Sequence, residues 1–321
     1  MKILIVRTDK LGDFITTLPA IYLLKKHNPK NEIVVCVAPL NVALAKACDF
    51  IDAVVVDKGQ SLLSLAGELR ALRVDASITM FSNTRVAFAQ FLASIPIRIA
   101  PATKIAQIFY NKRVKQRRSQ VKMAEFEYNI ELCKSLFKDM DTEYKKPLLE
   151  FEDAKSVYNE FKKEYGIKRD VVAFHVGFGG SSDANWSLDE YEKLIDAVLK
   201  ANRYDVVLTF GPDEQNLCDE MQKRLKGRGV VFYISKDGLV EFAKLISNFK
   251  LFVSTSTGTY HLASLVGTAT MTFFADSLFA SAKRWKSVGD ITKQKHYMIP
   301  LDAQKREKLF DEVKRELEGF V

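Results

Sequence analysis

The sequence predicts an α/β protein of two domains built on parallel sheets, and three observations carry that prediction. The chain has 321 residues, roughly twice an ordinary domain. Short apolar runs of strand length alternate with helical patterns, the signature of strand–helix–strand units. The alternation stops near residue 140 and restarts near residue 171.

In the first half the strand candidates are 3–6, 33–37, 53–56 and 74–80. Their runs are continuously apolar, as in Ile3, Leu4, Ile5 and Val6, which suits strands covered on both faces. Helix candidates lie near 13–27, 40–48, 60–72 and 84–94. In the first of these, Pro19 must either kink the helix or mark its proper start. A basic segment then interrupts the pattern, and an amphipathic helix is expected from about Lys122 to Lys138. A charged break around Asp139 to Pro147 and a helix near 152–165 lead into the second series.

That series is VVAFHV (171–176), DVVLTF (205–210), VVFYI (230–234), KLFVST (250–255) and ATMTFF (269–274), each with a helical segment behind it. Two Rossmann-like domains are expected, residues 1–150 and 151–321. The last helix, Asp302 to Gly319, is amphipathic and a candidate to pack back across them.

Composition excludes several classes. Hydrophobic residues make up 47% and charged residues 27%, the balance of a soluble globular protein. No apolar run approaches the roughly 20 residues of a membrane helix, and the N-terminus is too brief for a signal peptide, so a cytoplasmic location is expected. Four cysteines (36, 48, 133, 218) and four histidines (27, 175, 261, 296) lack ligand spacing, so no metal or cofactor is expected. The net charge is +8, and the stretch from Arg98 to Ala124 holds eight basic residues and no acid. A one-signed segment of that length favours an anionic partner.

In open α/β sheets ligands sit at the carboxyl ends of the strands, and two facing domains leave a cleft between those ends. After 171–176 comes GFGGSSDANW, Gly177 to Trp186, whose glycines and serines fit either a flexible turn or a close backbone approach to anionic oxygen. GPDE follows 205–210, and Glu214 suits a helix first turn or a hydrogen bond to ribose hydroxyls. STSTGTYHLA follows 250–255, where hydroxyls and Gly258 lead into a helix with His261 in its first turn; capping and anion binding both fit. In the first domain Asp13 opens the helix after the first strand, and on local grounds it reads as an N-cap.

Together TDKLGDFITTLPA, VGFGGSSDANW, GPDE and STSTGTYHLA, in this order and spacing, resemble glycosyltransferase family 9, the bacterial ADP-heptose:lipopolysaccharide heptosyltransferases. The resemblance implies a GT-B architecture and an inverting, metal-independent transfer of heptose from ADP-heptose to the inner core on lipid A and Kdo. It places the general base at Asp13 and the donor diphosphate on Gly177, Gly179, Gly180, Ser181 and Ser182. It places the ribose on Glu214 and completes the donor site with Ser256, Thr257, Gly258 and His261. Two positions depart from the family pattern: Ser256 stands where an aspartate is usual, and Ala184 where a lysine is usual. One negative and one positive side chain are thereby lost, with Lys10, Lys283 and Arg284 as other sources of charge.

Lys10 is placed to keep Asp13 ionised, and Gly12 to give clearance for an acceptor sugar. Lys112, Arg113, Arg117 and Arg118 are candidates for acceptor phosphates and for peripheral contact with the anionic inner face of the inner membrane. The rival classes fit less well. A dinucleotide oxidoreductase needs GxGxxG after the first strand and an acid after the second, where Ala38 and Pro39 stand. A nucleic-acid binder would leave the strand-end loops unexplained and lacks a recognisable motif, so no nucleic-acid partner is expected. A family 9 enzyme for another nucleotide sugar or acceptor remains the alternative within the resemblance.

Overall fold

The computed structural model describes residues 1–178 and 185–320 and divides into two compact units, Met1–Lys145 and Lys146–Val321. The first unit holds β1 (Lys2–Arg7), β2 (Glu32–Val37), β3 (Ala53–Val56), β4 (Ala76–Thr79), β5 (Ile97–Pro101) and β6 (Lys112–Val114). They pair in the order β3-β2-β1-β4-β5-β6, every pair parallel. The second unit holds β7 (Val171–His175), β8 (Asp205–Phe210), β9 (Val231–Ile234), β10 (Leu251–Thr255), β11 (Thr270–Ala275) and β12 (Gln294–Ile299). Their order, β12-β11-β10-β7-β8-β9, is the same doubly wound arrangement, again all parallel.

The continuous apolar runs are explained by burial on both faces. In the first unit Leu4, Val6, Val34 and Cys36 pack on Leu65, Leu69, Val86 and Ala89 from the helices Leu62–Ala71 and Thr84–Leu92. In the second, Phe174, Leu208, Val253 and Phe273 share a core with Tyr191, Leu194, Met221, Phe310 and Val313. The apolar stripe of the last helix, Ala303–Phe320, is therefore buried in its own unit.

Pro19 marks a start. The expected helix 13–27 is two helices, Leu11–Ile15 and Leu18–His27, with the proline in the first turn of the second, where its missing N–H costs nothing. The basic segment is not a simple interruption either, since it contains β5 and β6, and β12 adds the second unit's other edge. These short or polar edge strands give little periodicity to read. Among the described residues no helix is long and apolar enough to cross a membrane.

Candidate functional site

In this strand order the switch point falls between β1 and β4 in the first unit and between β7 and β10 in the second, and ligands of doubly wound sheets bind at such points. The loops singled out from the sequence follow β1, β7, β8 and β10, and β8 lies beside β7.

At the end of β1, Arg7 is 2% exposed although it carries a full charge. Its Nε donates to Asp9 at 2.7 Å, its Nη2 donates to Asp13, and its Nη1 lies 3.6 Å from Glu125 Oε1. Glu125, equally buried on the helix Glu125–Lys134, is shared with Arg118. Arg118 Nη2 donates to Asn129 Oδ1 at 3.3 Å, and the Asn129 amide donates to Thr16 O at 3.0 Å, so the far helix is tied back to the turn that carries Asp13. Three carboxylates thus share two guanidiniums. Such a group holds together only because each charge meets an opposite one.

Asp13 is not the N-cap. The helix begins at Leu11 with Lys10 in the capping position, so Asp13 stands in the first turn and its carboxylate faces Arg7 instead of the backbone. Burial is the main cause pushing its carboxyl up to about 6; Asp9 and Glu125 push the same way, and Arg7 opposes them. The Asp13 side chain remains 19% exposed, enough to be reached. Lys10 is exposed, and the cation set against Asp13 is Arg7. Gly12 is half-buried in the same turn.

The basic residues separate into two kinds. Arg118 is engaged inside the cluster, and Lys112 donates to Ser135 O just past a helix end, a favourable place for a cation. Arg113 and Arg117 are exposed. Arg117 also borders a cavity of about 310 Å³ with Lys115, Gln116, Lys122, Tyr128 and Glu131.

In the second unit Gly177 follows β7 against the Glu214 carboxylate. A Cβ there would lie 1.9 Å from Glu214 Oε1, so any other residue would displace the carboxylate from this position. Glu214 Oε2 accepts from the Gly211 N–H at 2.7 Å and lies 3.8 Å from His175 Nε2. Burial lowers the pKa of His175, and its Nδ1 is 2.9 Å from Thr209 O. Gly179, Gly180, Ser181, Ser182 and Ala184 lie outside the described residues.

The end of that loop is fixed in place. Asn185 Oδ1 accepts from Thr255 at the end of β10, from the Tyr191 hydroxyl at 3.1 Å and from the Trp186 N–H at 3.0 Å. From the last helix, Arg306 donates to Asn185 O at 2.7 Å and stacks over the Trp186 ring. The helix behind the loop opens with a reciprocal Ser187–Glu190 cap. The loops after β7 and β10 are therefore joined at the switch point. There Ser256, Thr257 and Gly258 are half-buried at the start of the helix Gly258–Leu265, and the Thr257 and Thr259 hydroxyls lie 2.9 Å apart.

His261 points the other way. It is buried against Ser287 Oγ at 3.1 Å, and burial lowers its pKa to about 3, so it is a neutral anchor of that helix. The sequence reading missed Arg7, Glu125, Asn185 and Arg306. Arg7 carried a signal, an arginine closing an otherwise apolar central strand.

The model of glycosyltransferase family 9 (heptosyltransferase) matches residues 62–313, a span that begins after Asp13. A Haemophilus influenzae protein carrying a provisional glycosyltransferase name is 35% identical over 311 residues, 93% of this chain and 89% of that protein. Lipooligosaccharide heptosyltransferase 2 of Campylobacter jejuni is 24% identical over 294 residues, 89% of this chain and 85% of its own length. Among solved structures, E. coli ADP-heptose lps heptosyltransferase II superposes with a TM-score of 0.82 at 17% identity, over 100% of this chain and 98% of that one, a likeness of fold.

Proposed function

Since the chain belongs to glycosyltransferase family 9, we propose that it transfers heptose from ADP-heptose to the inner core of a lipopolysaccharide. The acceptor is a lipid A and Kdo unit or an already heptosylated core, and the transfer is inverting and metal-independent. The observation that carries the reading is Asp13. It is a reachable carboxylate at the first unit's switch point, with its pKa raised to about 6 and its geometry held by Arg7.

Such a group is ionised at neutral pH and basic enough to accept a proton. As the acceptor hydroxyl attacks the anomeric carbon, its proton passes to Asp13, the bond to the diphosphate breaks, and ADP leaves with the electron pair. Arg7 fixes the carboxylate, and Glu125 with Arg118 fixes Arg7. The donor lies on the second unit, with its diphosphate at the Gly177 to Ser182 segment and the Thr257–Gly258 helix start, where backbone N–H groups favour negative charge. Glu214 accepts from the ribose hydroxyls, while His261 holds the helix start in position.

The exposed Arg113 and Arg117 meet acceptor phosphates, and the basic segment holds the protein against the inner face of the inner membrane. The name of the E. coli neighbour, an ADP-heptose enzyme, and the Campylobacter relative support the donor and the product class. Ala184 and Ser256 favour a second reading, transfer from another nucleotide sugar by the same machinery. The test is mass spectrometry of a defined lipid A and Kdo acceptor incubated with the purified chain and ADP-heptose. A gain of one heptose is expected. No gain with ADP-heptose, but a gain with another nucleotide sugar, would select the second reading.

A further inference from the structure

The basic stretch of the first unit also carries an exposed apolar turn. Residues Ile105–Phe109 form a 3-10 helix after β5. With three residues per turn, positions i and i+3 eclipse, so Ile105 and Ile108 project to one side; they are 72% and 65% exposed. The other side is packed: Ala106 and Tyr110 are buried, the Phe109 ring stacks on Phe88 at 4.8 Å, and the Tyr110 hydroxyl accepts from Ser82 at 3.2 Å. Phe91 lies 5.9 Å from Phe109 and extends the apolar surface, being 47% exposed itself.

Single exposed apolar residues are ordinary, but a cluster on a fixed base, edged by one sign of charge, asks for a partner. The edge here is cationic. Lys104 sits over the Phe81 ring at 4.2 Å, Arg98 over Phe91 at 5.4 Å, and no acid occurs between Arg98 and Ala124. A second copy of this chain is a poor occupant, because a two-fold contact would set one basic border against another. An anionic bilayer matches both features, with headgroups for the cations and upper acyl chains for the isoleucines.

We propose that the Ile105–Phe109 turn is a membrane-docking ridge, in which Ile105, Ile108 and Phe91 enter an anionic bilayer while Lys104 and its basic neighbours rest on the headgroups. The proposal deepens the function above by naming the surface that brings the enzyme to a lipid-linked acceptor. Its deciding readout, vesicle binding, needs no sugar donor, so its outcome and that of the transfer assay are independent.

The full chain is floated with vesicles of phosphatidylglycerol and phosphatidylethanolamine, and with vesicles of phosphatidylcholine alone. Binding to the anionic vesicles is expected, and Ile105→Asn with Ile108→Asn lowers the partition coefficient by about tenfold or more. The melting temperature stays unchanged. In a second variant, Ile108→Trp, the added indole emission shifts to the blue with anionic vesicles. Equal vesicle binding by the double variant overturns the ridge, as does an unshifted indole, a wild type that ignores anionic vesicles, or a wild-type dimer that the double variant dissolves.

Discussion

At the carboxyl end of β1 the first unit gathers three carboxylates and two guanidiniums against one another, while at the carboxyl ends of β7 and β10, the equivalent place in the same strand order, the second unit offers Gly177, Asn185, Thr255 and Thr257, with the Glu214 carboxylate set against Gly177 and Arg306 on the Asn185 carbonyl. Even the histidines of the second unit, His175 and His261, have their pKa values lowered by burial. The scaffold is common, and the charge gathered on it differs. Holding charges out of water is unfavourable unless each is paired, so the first unit carries a network reaching from Arg7 through Glu125 to Asn129. A polyanionic ligand needs no such network, because aligned N–H groups and hydroxyls supply positive potential without a counter-ion. In the function proposed above, the first place moves a proton and the second holds phosphate.

The largest effect expected from breaking that contrast is at Asp13. Asp13→Asn keeps the shape of the turn but removes the proton acceptor, and turnover falls by about 10²- to 10⁴-fold. Donor affinity, measured by ADP titration, stays within about twofold, on the order of 0.4 kcal/mol. Near-normal turnover in a folded variant would sink the reading of Asp13 as the base and leave the buried charges as scaffolding.

How far this contrast could be read from sequence depends on range. The apolar runs from Ile3 to Val6 and from Val171 to Phe174 declare central parallel strands, and strand-end loops follow from them. Pro19 and the Ser187–Glu190 pair announce helix starts by local chemistry. Asp13 misleads locally because an aspartate near a helix start looks like a cap, while the burial that mainly sets its state comes only with the fold, and its charged neighbour Arg7 is held by Glu125, more than a hundred residues on. Arg118 is only seven residues from Glu125, yet it reads as a surface cation because nothing in the local pattern marks Glu125 as buried. Nothing in composition or periodicity brings Arg7 and Glu125 together; the fold does.

In the second unit the contrast is sharpened at Gly177. Gly177→Ala puts a methyl group where Glu214 Oε1 now sits, so the carboxylate must swing away and release the Gly211 N–H. A hydrogen bond to a charged group contributes about 1.5–3 kcal/mol, and an ADP affinity lower by about tenfold is expected with kcat little changed. Unchanged ADP affinity would remove Glu214 from the donor site.

The smallest effect is the most discriminating, because it separates a charge that tunes Asp13 from one that merely packs. Asp13 must be ionised to act, so turnover falls as pH drops through about 6. Glu125 is one of the groups that raise this pKa, after burial and alongside Asp9, and it also draws on the Arg7 guanidinium that opposes them. Glu125→Gln removes a negative neighbour and leaves Arg7 more fully to Asp13. Both changes stabilise the carboxylate, so the acid limb moves to lower pH. The ratio of turnover at pH 5 to turnover at pH 8 rises by at least about threefold. Glu125→Asp keeps the charge and leaves the limb in place. If both variants lose stability equally and neither moves the limb, Glu125 only fills space. The proton chemistry of the first unit then rests on Arg7, Asp9 and the burial of Asp13.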